Sequence, residues 1–262
     1  MPIHVRCSSH VAPIVLLPGD PDRAQWIAQN ILEHAECTTY YRKMLGFTGI
    51  YNGSPISIQT TGMGGPSAAI VCEELITLGA KFFIRIGTCG AMNPDMNPGD
   101  LMLVTDACMA DGTSKEIIRA HMEGTSLDLG FPATSDFEFM HHAADEANRL
   151  HIPYHLGKVA SLDRFYGHES VTYEKLARLG ICAVEMEAAT VLCIAALHNI
   201  RAAAMMTVSD LLDGQKRADE NTILMGVERM VKVAILAAQK SLNSSLRNVN
   251  KNVPRNGSAP NT

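Results

Sequence analysis

The chain has 262 residues, of which 47% are hydrophobic, 19% are charged and 5% are aromatic. A chain of this length and apolar content can bury a large core without disulfides or structural metals, which excludes a disulfide-stapled miniprotein. No apolar run reaches the roughly 18 residues of a membrane span, and the N-terminus lacks the regions of a signal peptide, so we expect a cytoplasmic protein. The net charge of −5 gives no general attraction to nucleic acid or to an anionic membrane. An anionic ligand would therefore need a local cluster of cations.

The cysteines and histidines give no sign of cross-links or metal ligation. The seven cysteines are an odd number and form no Cys-x-x-Cys pair, so we interpret them as reduced thiols of the core. The ten histidines show no metal-ligand spacing, so we expect no metal site.

Short apolar runs alternate with amphipathic helical patterns, as is typical of an α/β fold. In chain order we predict a strand over 13–17, a helix over 22–32, a hairpin of strands 46–51 and 56–59, and, after the loop 62–65, a helix over 66–79. Further strands are predicted at 82–84, 101–104, 158–162, 182–184 and 202–208, and further helices at 135–150, 173–180, 188–197 and 224–238. The helix at 135 is predicted to begin with a capping box, Ser135 with Glu138. Beyond residue 242 the sequence is polar and has no period, so we predict one domain over 1–241 and a disordered tail over 242–262.

Polar residues that directly follow apolar runs are candidates for a site, because ligands of open α/β sheets bind beyond the carboxyl ends of the strands. They are Gly19, Asp20, Arg23, Arg85, Thr88, Glu185, Glu187, Ser209 and Asp210. Structural alternatives remain open: Asp20 can cap a helix and Arg85 can belong to a buried ion pair. Glu185 and Glu187 can be acids that the dipole of the following helix stabilises.

Six motifs occur in a fixed order and together carry a resemblance to a known family. They are Leu16-Leu17-Pro18-Gly19-Asp20-Pro21 with Arg23, Arg42 ahead of Met44-Leu45-Gly46-Phe47, Gly62-Met63-Gly64, Arg85-Ile86-Gly87-Thr88-Cys89-Gly90, Val184-Glu185-Met186-Glu187-Ala188-Ala189, and Val208-Ser209-Asp210. This combination resembles nucleoside phosphorylase family I, which contains hexameric bacterial purine nucleoside phosphorylases, uridine phosphorylases, and methylthioadenosine phosphorylases and nucleosidases. The likeness runs from about residue 4 to residue 241. It implies a single α/β domain of the phosphorylase/hydrolase type, with a central mixed β-sheet that closes partly into a barrel and is flanked by α-helices.

The resemblance also implies roles for individual residues. Those that match the phosphate-binding positions are Gly19, Arg23, Arg42, Arg85 and Thr88, with Arg42 matching an arginine lent by a neighbouring subunit. Those that match the ribose site are His4, Met63, Met186 and Glu187. His4 resembles a histidine donated across a dimer, and His10 is an alternative for that role.

The base site follows from the same likeness. Phe165 matches the aromatic residue that stacks on the base, and Glu185 and Ser209 are assigned to the base site as well. Asp210 matches the catalytic acid that gives a proton to the purine N7. The expected reaction is phosphorolysis of purine nucleosides, with phosphate as co-substrate, no cofactor, and a homo-oligomer built as a trimer of dimers.

Other members of the family remain alternatives. Uridine phosphorylases carry a Gln-x-Arg pair shortly after the aromatic residue, and the stretch from Phe165 to Val171 contains neither residue. Nucleosidases do not need the phosphate-binding arginines, which this chain keeps. The bacterial purine enzymes have an arginine that assists the catalytic aspartate, but Ile223 stands at the ungapped position, and Lys216 or Arg217 could substitute. Methylthioadenosine phosphorylase and a non-catalytic nucleoside-binding relative therefore stay open.

Overall fold

The computed structural model describes residues 2–8, 10–125, 130–166, 170–212 and 217–251. These ranges contain strands β1 Ile14–Leu17, β2 Glu33–Thr39, β3 Gly46–Tyr51, β4 Ser54–Gln59, β5 Phe82–Ala91, β6 Leu101–Met109, β7 Ala133–Thr134, β8 Tyr154–Ser161, β9 Ile181–Glu185 and β10 Arg201–Leu211. They also contain helices α1 Pro21–Asn30, α2 Gly65–Thr77, α3 Gly112–His121, α4 Phe137–Arg149, α5 Ser170–Arg178, α6 Ala188–Leu197 and α7 Glu220–Lys251.

One mixed sheet organises the molecule, and half of its strands close on themselves. The order β10-β6-β8-β9-β5 is completed by pairing of β5 with β10, so these strands form a closed barrel. From β5 the sheet continues outward through β1, β4, β3 and β2. The pairs β1–β5, β5–β10 and β6–β8 are parallel, whereas β5–β9 and β6–β10 are antiparallel. The predicted α/β class with a partly closed barrel is confirmed.

Helices cover the sheet on two sides and bury two apolar clusters. Phe82 and Phe83 show this division, because neighbouring residues of a strand point to opposite faces and each ring is fully buried in a different cluster. The first eight residues of α6 are all buried, which fits a helix that is apolar on every side. The rigid core therefore supports the strand ends from both faces.

Most predicted elements are confirmed, and the differences have local causes. The edge strand β2 was missed because its side chains are largely polar and exposed, so it has no alternating apolar pattern. Helix α3 was missed because it buries few apolar side chains. Helix α4 begins one residue later than the proposed capping box implies, since Asp136 is the cap and accepts a 2.8 Å hydrogen bond from Phe139 N–H.

The C-terminal end of the described chain differs from the expectation of disorder beyond residue 242. Helix α7 continues to Lys251, past the last apolar residues of its buried stripe. A helix that is already formed propagates at small cost, because each further residue adds one hydrogen bond. Residues 252–262 lie outside the described part of the chain, and the domain boundary at residue 241 stays a prediction.

The seven cysteines are free thiols. Cys72, Cys89 and Cys193 are buried, whereas Cys37 and Cys108 are exposed, so the prediction of core placement is wrong for the latter two. Burial raises the pKa of Cys193 to about 12. None of the helices in the described ranges is long and apolar enough to cross a membrane. Across the same ranges, no group of three His, Cys, Asp or Glu side chains could hold a metal ion.

Candidate active site

The turn after β1 brings backbone groups close to a buried arginine. Asp20 is the N-cap of α1 and accepts a 2.9 Å hydrogen bond from Asp22 N–H, as the structural alternative for this residue predicted. A Cβ atom on Gly19 would lie 3.0 Å from Gly62 O and 3.4 Å from Arg85 Nη1. Position 19 therefore suits glycine, because the turn, the loop Gly62-Met63-Gly64 (the glycine loop) and Arg85 approach one another closely.

Arg85 occupies the centre of this region. It lies in β5 opposite Leu17 of β1 and is only 4% exposed. Its Nη1 donates a 3.3 Å hydrogen bond to Leu17 O, and its Nη2 donates to the Glu187 carboxylate. Among the described residues none accepts a hydrogen bond from Arg85 Nε, which is buried. Arg85 Nε instead lies 3.8 Å from a Glu185 carboxylate oxygen, so the guanidinium has two carboxylate neighbours, Glu185 and Glu187.

Glu187 joins the arginine to the glycine loop. It stands at the N-cap position of α6, is 3% exposed, and accepts a 2.6 Å hydrogen bond from Gly64 N–H. Gly64 has a φ of +85°, a left-handed value that glycine adopts without strain. Arg85, which the resemblance assigned to phosphate, and Glu187, which it assigned to ribose, thus form a buried ion pair.

Glu185 is occupied by groups of the protein itself. Its carboxylate accepts hydrogen bonds from the Ser161 hydroxyl, from Glu187 N–H at 2.8 Å and from Ala188 N–H at 2.9 Å. It also lies 3.8 Å from Arg85 Nε. Burial, and after it the charge of Glu187, raise the pKa of Glu185. These contacts fit the alternative of a helix-start acid, and the base-binding role of Glu185 stays a prediction.

A second arginine lies within electrostatic range of the first. Burial, and next the neighbouring charge of Arg85, lower the pKa of Arg23, while Asp20 and Glu187 act in the opposite direction. Arg23 projects from the first turn of α1, next to the turn that contains Gly19. Thr88 lies further along β5, where it is half-buried and pairs in register with Thr207. Three of the predicted phosphate residues, Gly19, Arg23 and Arg85, are therefore close together.

The predicted catalytic acid stands at an irregularity of β10. The register with β5 shifts between Val208 and Asp210, so Ser209 is an extra residue of the kind that re-aims side chains near active sites. Ser209 Oγ lies 3.1 Å from Cys89 O and 2.5 Å from Asp210 Oδ1. Arg217 Nη1 lies 3.4 Å from the same Asp210 oxygen.

Arg217 thus stands where an assisting cation was expected. Ile223, at the ungapped position of the missing arginine, packs instead against the apolar cluster beneath α7. Lys216, the other candidate, lies outside the described residues. The geometry favours Arg217 as the partner of Asp210.

Two further predicted site residues lie together at one cavity. His4 and Arg42 line a cavity of about 250 Å³ with Tyr41, Met44 and Ser67. The resemblance assigned both His4 and Arg42 to the site of a neighbouring subunit. Their common location agrees with that assignment, since one face of the molecule presents both.

Hydrogen bonds to one carboxylate hold His4 in place. Glu74 of α2 accepts bonds from the backbone N–H groups of Ile3, His4 and Val5, and from His4 Nδ1 at 2.9 Å. Partial burial alone would raise the pKa of Glu74, but the bonds from Val5, His4 and Ile3 outweigh it and lower the pKa to about 2.

This anchor predicts an acid-sensitive attachment of the N-terminal segment. The pKa of Glu74 falls from an ordinary 4.5 to about 2 on folding, so its stabilising effect is present at neutral pH and is lost as the pH falls through that interval. Glu74→Gln should lower the free energy of unfolding by about 1–3 kcal/mol at pH 7. Its difference from the wild type should shrink between pH 4.5 and pH 2. Denaturant unfolding across this range measures both effects.

The neighbouring Glu73→Gln variant is the matched control. Glu73 is half exposed, and in the described part of the chain its carboxylate pairs with a surface histidine, His198. It should change stability by less than Glu74→Gln. An equal loss in the two variants, or a loss at Glu74 that does not depend on pH, would contradict the anchoring role.

The remaining predicted residues are exposed or half-buried. Met63 is 83% exposed and Phe165 is 61% exposed, while Met186 is half-buried. The Phe165 ring packs edge-on against Tyr166, with 4.9 Å between ring centroids. Residues 167–169, which complete the stretch without a Gln-x-Arg pair, lie outside the described residues.

Sequence reasoning missed two residues that support the site. Ser161 donates its hydroxyl hydrogen bond to Glu185. Asp163 accepts a 2.7 Å hydrogen bond from Gly112 N–H at the start of α3, which ties the segment before Phe165 to that helix. A prediction of α3 could have pointed to Asp163, because carboxylates favour helix N-termini.

Comparison with known proteins identifies the family. The family model described as the phosphorylase superfamily matches residues 13–247. The chain belongs to the phosphorylase superfamily.

Individual members of this family are similar over almost their whole length. A DeoD-type purine nucleoside phosphorylase from Geobacillus kaustophilus (strain HTA426) is 38% identical over 241 residues, which are 91% of this chain and 98% of that protein. The DeoD-type enzyme from Thermoanaerobacter sp. (strain X514) is 36% identical, over 91% of this chain and 100% of that protein. The one from Caldanaerobacter subterraneus subsp. tengcongensis is 37% identical, over 90% and 99%. The predicted resemblance is confirmed.

Proposed function

We propose that the chain is a purine nucleoside phosphorylase. It would cleave the N-glycosidic bond of purine ribonucleosides and deoxyribonucleosides reversibly with phosphate, giving the free base and a pentose 1-phosphate. The observation that carries this proposal is the buried Arg85–Glu187 ion pair beside the end of β1, together with the Asp210–Arg217 pair at the end of β10. The DeoD-type relatives, which share more than a third of their residues with the chain, support the purine base.

Phosphate binding is the task of the arginines. Guanidinium groups stay charged at all relevant pH values and bind oxyanions with parallel hydrogen bonds. Arg85 supplies a buried cation from β5, and Arg23 adds a second cation from α1. Because Gly19 has no side chain, its backbone can approach the Arg85 guanidinium closely. An acidic chain can therefore bind an anion, because the cations are concentrated at this place.

Glu187 is suited to bind the sugar. A carboxylate accepts several hydrogen bonds, so it can bind two adjacent hydroxyls of a ribose. Its pairing with Arg85 fixes its orientation before the substrate arrives. During phosphorolysis C1′ becomes positively charged, and phosphate and a carboxylate near the sugar stabilise that charge.

Asp210 is suited to protonate the leaving base. A purine leaves C1′ as an anion unless a proton reaches its N7, and a carboxylic acid in contact with N7 supplies this proton. Arg217, 3.4 Å from Asp210 Oδ1, stabilises the carboxylate that remains after the transfer. General acid catalysis of this kind contributes a factor of about 10²–10⁴ to the rate.

The proposal includes the assembly and the location of the enzyme. The resemblance assigns His4 and Arg42 to the site of a neighbouring subunit, so a complete site would need a second copy, and the hexamer of three dimers is the assembly that the resemblance implies. The protein would act in the cytoplasm, with phosphate as co-substrate and without a cofactor. Nucleoside and phosphate are its proposed small-molecule partners, and neither nucleic acid nor a membrane is one.

A substrate panel tests the function. Inosine, adenosine, methylthioadenosine and uridine are each incubated with and without phosphate, and release of the free base is measured. We expect phosphate-dependent release of hypoxanthine or adenine. Faster turnover of uridine would support a uridine phosphorylase, and faster turnover of methylthioadenosine would support a methylthioadenosine phosphorylase. No turnover of any purine nucleoside would refute the proposal.

A further inference from the structure

The turn that contains Arg42 is packed against the N-terminal segment by a stack of three side chains. The Arg6 guanidinium carbon lies 3.6 Å from the centroid of the Tyr41 ring, and the Arg42 guanidinium carbon lies 5.5 Å from it. Arg6 Nε also donates a 2.9 Å hydrogen bond to Ile3 O. The Tyr41 ring therefore bridges the N-terminal segment and the Arg42 turn.

The backbone of this turn needs such contacts. Arg42 has a φ of 54° and Lys43 a φ of 62°, both in the left-handed region that residues with side chains adopt only at a cost. The Arg42 side chain is itself exposed, so core packing does not hold it. Within the described ranges, the ring and polar contacts of the Arg42 side chain are with Tyr41.

Tyr41 interacts with the neighbouring arginines, Arg6 and Arg42, through its ring and through its phenol oxygen. An arginine near an aromatic face is attracted by the negative potential of the ring. The phenol oxygen adds a hydrogen bond, and this bond with Arg42, followed by the charges of Arg6 and Arg42, lowers the pKa of Tyr41. Tyr41 thus offers Arg42 both its ring face and a polar contact, while Arg6 packs over the ring from the N-terminal segment.

We propose that Tyr41, held in place by Arg6, is a positioning residue for Arg42 and so for the phosphate that Arg42 binds in the neighbouring subunit. This inference rests on the proposed function, because it assumes the phosphate-binding role of Arg42. Its mechanism is pre-organisation: a long flexible side chain that is already oriented loses less entropy when it binds an anion.

The test compares the phosphate affinity of variants of the assembled protein. Phosphate Kd is measured by calorimetry, and phosphate KM and nucleoside KM are measured by base release. Tyr41→Leu should weaken phosphate binding about five-fold, which is the factor that about 1 kcal/mol of cation–π interaction represents, and leave nucleoside KM unchanged. Tyr41→Phe, which keeps the ring, should recover most of the loss.

The adjacent Tyr40→Leu variant is the matched control. Tyr40 is 78% exposed and its side chain makes no ring contact in the described structure, so phosphate Kd should stay at the wild-type value. In an Arg42→Ala background, Tyr41→Leu should have no further effect, because its effect passes through Arg42.

Three results would overturn the inference: an unchanged phosphate Kd in Tyr41→Leu, an equal loss in the Arg42→Ala background, or loss of the oligomer in Tyr41→Leu together with the affinity. Calorimetry separates this inference from the function itself. A wild-type protein that binds phosphate but cleaves no purine nucleoside would refute the function. The phosphate Kd of the Tyr41 variants would still decide whether Tyr41 positions Arg42. A wild-type oligomer that binds no phosphate would overturn both.

Discussion

Asp210→Asn should lower kcat for inosine or adenosine by about 10²- to 10⁴-fold and leave phosphate KM within about two-fold of the wild type. The asparagine keeps the shape of the side chain and can still contact Ser209, but it has no acidic proton to give to N7. The phosphate-binding arginines are not touched by the change. Steady-state kinetics with each substrate varied in turn measure the two effects separately.

A change of substrate makes the test specific for proton transfer. A purine nucleoside that is methylated at N7 already carries the positive charge that protonation would create. Asp210→Asn should therefore cleave it within about ten-fold of the wild-type rate. Asp145→Asn, on the exposed face of α4, is the control for a neutralised carboxylate elsewhere. Equal losses on methylated and unmethylated nucleosides would contradict the role of Asp210 as an acid.

Arg85→Ala should raise phosphate KM by about 30-fold or more, since truncating one partner of a buried charge pair costs about 2–5 kcal/mol. It should also destabilise the fold by about 3–5 kcal/mol, because the buried carboxylate of Glu187 loses its ion pair. Phosphate KM and the denaturant midpoint measure these two losses.

A double variant separates binding from stability. Adding Glu187→Gln to Arg85→Ala removes the unpaired charge, so stability should partly return while phosphate KM stays high. Arg119→Ala, which removes a fully exposed arginine paired with Glu116, is the matched control and should change neither quantity. A loss of stability with an unchanged phosphate KM would show that Arg85 serves only in a structural ion pair, the alternative that the sequence left open.

Local patterns were enough to place the strand ends and several of the residues near them. The arginine within an apolar run predicted a buried Arg85, and the Asp20 cap followed from its position before Pro21. The pairing of Arg85 with Glu187 could not be predicted, because the two residues are 102 positions apart and no local signal connects them. The role of Glu185 was uncertain for a related reason, since its partners include Ser161 from another strand.

Replacements within a motif were the hardest features to interpret. The missing arginine at Ile223 raised doubt about base protonation, and the position of Arg217 beside Asp210 is evident only from the structure. Helix α3 was missed because its stripe of apolar residues is short, and with it the contact between Gly112 and Asp163. Hydrophobic periodicity identifies elements that bury a wide apolar face. It does not identify polar elements, so the contacts that they make with the site are not predicted.

The identity of the sugar product shows whether the protein cleaves nucleosides with phosphate or with water. The wild-type protein is incubated with inosine and limiting inorganic phosphate, and phosphorus NMR follows the phosphate signal while base release is recorded in parallel. We expect inorganic phosphate to disappear in a one-to-one ratio with base release and a sugar phosphate ester to appear. Release of hypoxanthine with free ribose and unchanged inorganic phosphate would contradict it.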